Sequence, residues 1–344
     1  MLTVITSVAI LGIIGALFGA LLAFASKKFA VFVDPRVDSI NSILPGANCG
    51  ACGAAGCFSF AESVVGGKLA ANACVPGKTE VSNKIGEILG LAVEESAEMR
   101  AVVRCKGGKK EAKQRFEYFG IEDCTAAELL SGGNKACVYG CLGLDSCVRV
   151  CPFNAMYMNG NALPVIVPDL CTGCGLCVKA CPRNIIELIP KAQKIYVACV
   201  NPEKGKTVKD ACEVGCIGCT LCANPKTTPS GDIVMDGNLP KIRFTNNKNL
   251  VAGAYRCAPD SFVIETAYPP VQYDSEKCNG CPGQPKPLCT KLCPVKNCLT
   301  FDAENKKAVF NKDLCVGCDL CIAECPVKAF EPAEIKEGIE YVVK

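Results

Sequence analysis

The sequence contains no histidine and no tryptophan in 344 residues. Without histidine there is no Ser-His-Asp or Cys-His nucleophile, no imidazole general base, no His-ligated haem, no Rieske centre and no mixed Cys/His zinc site. An excess of charge of one sign is also missing. The 37 Lys and Arg residues stand against 34 Asp and Glu, a net charge of +3, so no global field recruits nucleic acid. No Gly-x-Gly-x-x-Gly fingerprint follows a strand, which argues against a dinucleotide site on this chain.

What the sequence has instead is cysteine, 29 of them. Disulfides, zinc and iron–sulfur clusters are the usual causes of such a count. Disulfide-dense chains are typically small secreted domains with little core, whereas this chain is 50% hydrophobic. An all-thiolate metal set remains.

Leu2 to Ala25 carries no charge. As a helix it would reach about 36 Å, enough to cross a bilayer with some tilt. Gly15 and Gly19 form a Gly-x-x-x-Gly pair that suits either helix packing or a smooth lipid-facing anchor. A secretory signal would carry cations before its apolar run. Here the first cations, Lys27 and Lys28, follow it, although Ala23-Phe24-Ala25 mimics a cleavage site. Those lysines predict that the rest of the chain faces the cytoplasm, the reducing side on which free thiols persist. The expectation is a single-pass protein of a bacterial or archaeal plasma membrane.

The spacing of the cysteines is more informative than their number. The first block is Cys49-x2-Cys52-x4-Cys57, followed by Cys74, interleaved with glycines that let backbone amides turn towards cluster sulfides. The second contains Cys171-x2-Cys174-x2-Cys177-x3-Cys181-Pro182, the bacterial ferredoxin run, whose fourth cysteine serves a neighbouring cube. Its partner is Cys137-x3-Cys141-x5-Cys147-x3-Cys151-Pro152. Crossing the two assigns Cys137, Cys141, Cys147 and Cys181 to one [4Fe–4S] cluster and Cys171, Cys174, Cys177 and Cys151 to another. The last block repeats the arrangement. Cys278, Cys281, Cys289 and Cys325 form one set, and Cys315, Cys318, Cys321 and Cys293 form the other.

Between them lies a damaged repeat. Cys216-x2-Cys219-x2-Cys222 supplies three ligands, but position 226, where the fourth would stand, is Lys226. Reading back from Cys257-Ala258-Pro259, the partner positions are Asn247, Leu250 and Gly253. The four absent ligands are those of one cube, and the four that remain are those of the other. One cluster on Cys216, Cys219, Cys222 and Cys257 follows, with Cys212 competing for the place of Cys257. The total is about six [4Fe–4S] clusters. Cys105, Cys124, Cys199, Cys212 and Cys298 are left over, readable as small buried hydrophobes.

The expected fold is α+β: an N-terminal transmembrane helix (1–28), a small, mainly helical single-cluster domain (33–95), a connecting segment (96–130), then tandem ferredoxin-like domains at 131–195, 196–268 (degenerate) and 269–344. Helical periodicity covers 58–73 and 84–103. Short strands are expected at Val165–Val167, Ile186–Ile189, Lys307–Phe310 and Ile339–Val343. Such units owe much of their stability to metal–thiolate bonds. A basic run, Arg104, Lys106, Lys109, Lys110, Lys113 and Arg115 against Glu111, reads either as a solvated face or as a docking patch for lipid headgroups or an acidic partner.

The order of these pieces resembles the B subunit of the Rnf complex. The resemblance is carried by Asn48-Cys49-Gly50-Ala51-Cys52-Gly53 with Gly56-Cys57, by Tyr139-Gly140-Cys141-Leu142-Gly143, and by Gly215-Cys216-Ile217-Gly218-Cys219. It implies one component of a membrane complex that oxidises reduced ferredoxin, reduces NAD⁺ and moves Na⁺ or H⁺, with this chain as the entry point for electrons. NAD chemistry and ion movement would belong to partner subunits, since the apolar span holds no charge. Soluble ferredoxins are usually acidic, so Lys277, Lys286, Lys291, Lys296, Lys306, Lys307 and Lys312 are expected to dock the donor. Two rival readings are a membrane-tethered polyferredoxin serving a hydrogenase or CO dehydrogenase, and a structural zinc scaffold.

Overall fold

The structure is a computed structural model that describes residues 2–29, 34–93, 97–244 and 246–333. The chain divides into two units, residues 1–94 and 95–344.

In the first unit, Leu2–Lys28 forms one helix whose large apolar side chains from Ile5 to Phe24 are exposed. The stretch Ile5–Lys28 is long and apolar enough to cross a membrane. A compact helical domain follows. Asp34 caps the helix Pro35–Ile43 by accepting the Arg36 N–H, and proline suits its first position. The helices Cys57–Val65 and Lys78–Leu89 complete it. Val37, Ile40, Phe60, Ala61, Val64 and Ile85 form the core, and Cys74 is buried within it.

The expected helix over 84–103 is corrected by the structure. Gly90, at φ +67, ends the helix in the left-handed conformation. Met99–Val103 is a strand, paired antiparallel with Ile186–Pro190. The expected helix over 58–73 likewise stops at Val65, before Gly66 and Gly67.

The second unit is built from one pattern used three times. The described residues contain six two-stranded antiparallel sheets. In the first repeat, Met99–Val103 pairs with Ile186–Pro190 and encloses the hairpin Met156–Met158/Pro164–Ile166. In the second, Ile195–Val197 pairs with Phe262–Ile264 around Ile233–Asp236/Leu239–Ile242. In the third, Gln272–Tyr273 pairs with Phe330–Glu331 around Leu299–Asp302/Lys307–Phe310. The cysteine runs occupy the loops between outer and inner strands.

This nesting joins residues 97–130, expected to be part of a connecting segment, to the first repeat through the strand Met99–Val103. Gly173, at φ +73 between Cys171 and Cys174, shows how tightly they are held: a Cβ there would stand 2.5 Å from Met99 O. The expected strand at Ile339–Val343 lies outside the described residues.

Candidate metal centres

In the single-cluster domain, Cys74 faces Cys52, Cys57 and Cys49, and burial with their charge pushes its thiol up. Asn48 Oδ1 accepts the Cys57 N–H at 2.8 Å and so fixes the end of the loop against the helix start.

In the first repeat, Cys177 faces Cys171, Cys174 and Cys151, and burial followed by this crowding raises it to about 12. The pocket lined by these four thiols has about 330 Å³ of space, part of it open to solvent. The Ala101 N–H donates to Cys171 Sγ at 3.4 Å.

Around the other set of this repeat a further thiol comes close. Cys147, raised to about 12, faces Cys141, Cys124 and Cys181, and beyond them Cys177. Cys124 therefore stands beside Cys141, Cys147 and Cys181, three of the four expected ligands. The Cys124 N–H donates to Ser146 Oγ at 2.8 Å, and Ser146 donates to Asp123, which ties Cys124 to the helix that carries Cys147. Cys137 is held elsewhere. Arg183, its side chain almost fully buried, donates to Cys137 O and Gly140 O and pairs with Glu128.

In the second repeat, Cys222 faces Cys257, Cys216 and Cys219 and is raised to about 12, burial coming first. Cys257 accepts the Ser261 N–H at 3.3 Å. Cys212 faces Cys105 and Cys137 instead. In the third repeat, Cys289 faces Cys281, Cys278 and Cys325 and is raised to about 11. Cys321 is raised by burial and by Cys318, Cys315 and Cys293. Cys325 accepts the Ala329 N–H at 3.3 Å.

Four buried thiols cannot all ionise beside one another unless a cation offsets their charge. The described residues contain no group of three or more His, Cys, Asp or Glu close enough to hold a single metal ion. A tetrahedral zinc would need its thiolates about 4 Å apart, given Zn–S bonds of about 2.3 Å. A four-iron cube, ligated at its corners, holds them further apart. The quartets, their cavities and the N–H donors to sulfur therefore fit [4Fe–4S] clusters, which Cys thiolates ligate and which hydrogen bonds to sulfur tune.

The basic run has mostly internal duties. Arg104 pairs with Glu187, Lys106 with Asp260, and Arg115 donates to Ser131 O and Gly133 O. Lys109, Lys110 and Lys113 remain exposed. Of the C-terminal lysines, Lys277 pairs with both Asp274 and Glu331.

Comparison with known proteins agrees with this chemistry. Residues 44–76 match the family described as a putative Fe-S cluster, and residues 164–187 and 308–331 match the 4Fe-4S binding domain. The B subunit of an ion-translocating oxidoreductase complex from Methanosarcina acetivorans is 39% identical over 85% of this chain and 96% of its own length. The B subunit of the Na(+)-translocating ferredoxin:NAD(+) oxidoreductase complex of Acetobacterium woodii is 37% identical over 89% of this chain and 80% of its own. The proton-translocating counterpart of Clostridium ljungdahlii is 46% identical over 62% and 76%. This chain, an iron–sulfur electron relay, belongs to the B-subunit family of ion-translocating ferredoxin:NAD⁺ oxidoreductase complexes.

Proposed function

We propose that this chain accepts electrons from reduced soluble ferredoxin and passes them towards NAD⁺, while partner subunits couple the flow to Na⁺ or H⁺ translocation. The observation that carries the reading is the recurrence of clustered cysteine quartets, each brought together from two separate loops and each holding at least one buried thiol. Bound in them, [4Fe–4S] clusters supply one-electron chemistry. The chain's own residues hold the thiolates, donate N–H groups to sulfur and exclude water.

We assign six ligand sets, a reading supported by the proximity of these thiols: Cys49, Cys52, Cys57 and Cys74; Cys124, Cys141, Cys147 and Cys181; Cys151, Cys171, Cys174 and Cys177; Cys216, Cys219, Cys222 and Cys257; Cys278, Cys281, Cys289 and Cys325; Cys293, Cys315, Cys318 and Cys321. The helix Leu2–Lys28 anchors the chain in the bilayer, with the cluster domains on the cytoplasmic side because Lys27 and Lys28 end it. The exposed Lys286, Lys291, Lys296, Lys306 and Lys312 of the third repeat face the donor.

The test is anaerobic titration of the purified full chain with reduced ferredoxin, followed by EPR. Signals of reduced [4Fe–4S] centres appearing on mixing support the reading. Zinc in the protein and no reducible centre would overturn it.

A further inference from the structure

Cys105, Cys137, Cys199 and Cys212 converge on one cavity in the second unit, and none of them belongs to the six sets above. We propose that these four thiolates hold a seventh [4Fe–4S] cluster, which joins the first repeat to the second. The proposal rests on the electron-relay reading and deepens it.

The cavity compares directly with one at a ferredoxin-type set. Its space, part of it open to solvent, is about 400 Å³, against about 330 Å³, likewise partly open, at Cys151, Cys171, Cys174 and Cys177. Its sulfurs converge in the same manner. A Cβ on Gly140 would touch both Cys137 Sγ and Cys105 Sγ, at 3.5 and 3.7 Å. One on Gly107 would meet Cys212 Sγ at 2.9 Å and Cys105 Sγ at 3.8 Å. A side chain at Gly140 would thus make ordinary contact with two of the thiols, whereas one at Gly107 would crowd Cys212 Sγ.

The sulfurs also carry the hydrogen bonds that mark the other sets. Cys105 Sγ accepts the Cys141 N–H at 3.4 Å, and Cys199 Sγ accepts the Cys216 N–H at 3.3 Å. Buried Asn201 directs Nδ2 at Cys137 Sγ, 3.7 Å away. These match the donors to Cys171, Cys257 and Cys325.

Charge supplies an independent argument. Lys135 is 3% exposed, and its Nζ donates to Gly107 O at 2.8 Å. Among the described residues it makes no ion pair. A buried ammonium with only a carbonyl for company is costly, and it lies beside Cys105 and Cys212. A cube held by four thiolates carries net negative charge and would balance it.

The repeat architecture explains how the site arises. Cys105 and Cys199 each lie two residues beyond the opening strand of their repeat, Met99–Val103 and Ile195–Val197. The other two thiols come from the loops that follow. Those loops meet across the bridge Ala112↔Cys212 and the bond from Lys113 N–H to Ala211 O.

The position completes a line. Cys289 faces Cys321 across the third repeat, and Cys318 packs on the core that contains Cys216 and Cys222. Cys147 faces Cys177 across the first repeat. Between the Cys216 set and the Cys141 set lies this cavity, hydrogen-bonded to both through Cys199 and Cys105. The transfer it serves is of single electrons, one received from a neighbouring cube and one given to the next, with no bond formed and no proton moved.

The test is iron and acid-labile sulfide per chain in the anaerobically reconstituted full-length protein, with zinc measured in parallel. The expected value is about 28 irons in the wild type, at four per cube. Cys199→Ala/Cys212→Ala should lose about four irons and one reducible spin, and Cys174→Ala calibrates the loss of one cube. An unchanged iron count in the folded double variant, or zinc at this site, overturns the proposal. Should the double variant not fold, the wild type alone decides, since about 24 irons overturns it. A wild type without iron would instead sink the relay reading itself.

Discussion

The backbone N–H of Cys141 donates to the Sγ of Cys105 across 3.4 Å. One residue thereby contributes its thiol to the Cys124 set and its amide to the cavity of Cys105, Cys137, Cys199 and Cys212. Cys216 repeats the arrangement on the far side, with its N–H on Cys199. The cavity thus abuts both neighbouring cysteine sets, each through one backbone amide.

Lys135 should raise the potential of the cluster beside it, because a buried cation favours the more negative, reduced form. Lys135→Met should lower that potential on the order of 100 mV, taking about 6 Å and an effective dielectric near 20. EPR-monitored redox titration measures it, with iron content unchanged. If no anion stood there, the same change would instead raise the unfolding temperature, since it would remove a lone buried charge.

Cys124 and Cys137 distinguish the spatial grouping from the sequential one. Cys124→Ser should cost about four irons, and the double variant Cys124→Ser/Cys137→Ser about eight, because the two thiols serve different cubes. If Cys137 completed the Cys141 set, Cys124→Ser would cost none.

Cys298 is buried against Cys293 and Cys315, and hydrogen bonding from it holds both their thiols below the usual thiol range. Cys298→Ala should leave the iron count intact and remove a donor to those sulfurs. A hydrogen bond of about 1 kcal/mol corresponds to about 40 mV for a one-electron couple, so that cluster should become harder to reduce by roughly this amount. A redox titration of the variant measures the shift.

Removing iron should unfold the second unit and not merely silence it. Its sheets have two strands each, and such pairs are marginal on their own. Its core clusters include the ligating cysteines themselves. Anaerobic chelation followed by circular dichroism and limited proteolysis should show loss of structure over residues 97–333.

Reversing Lys286, Lys291, Lys296, Lys306 and Lys312 to Glu should raise the KM for ferredoxin several-fold at low salt, and less at high salt, where the field is screened. Lys277→Glu should have a smaller effect, since that ammonium is engaged by Asp274 and Glu331. Steady-state assays at two ionic strengths compare them.

The chemistry of this chain is legible in its residues alone. The absence of histidine and the Cys-x2-Cys-x2-Cys-x3-Cys-Pro runs state the ligand type, and the damaged repeat leaves one complete quartet at Cys216, Cys219, Cys222 and Cys257. These features are legible because a ferredoxin loop places three thiols within a few residues, so spacing encodes geometry. Three things depended on the folded chain: that Met99–Val103 is a strand of the first repeat, that Cys124 lies beside Cys147 and Cys141, and that Cys137 shares a cavity with three cysteines the spacing left over, Cys105, Cys199 and Cys212. Each requires chain segments to meet over long separations, 83 residues between Val103 and Ile186 by their paired positions. No local period records such meetings. They are set by strand pairing, by Arg183 and Ser146 tying loops together, and by buried charge at Lys135 that must find its partner in space.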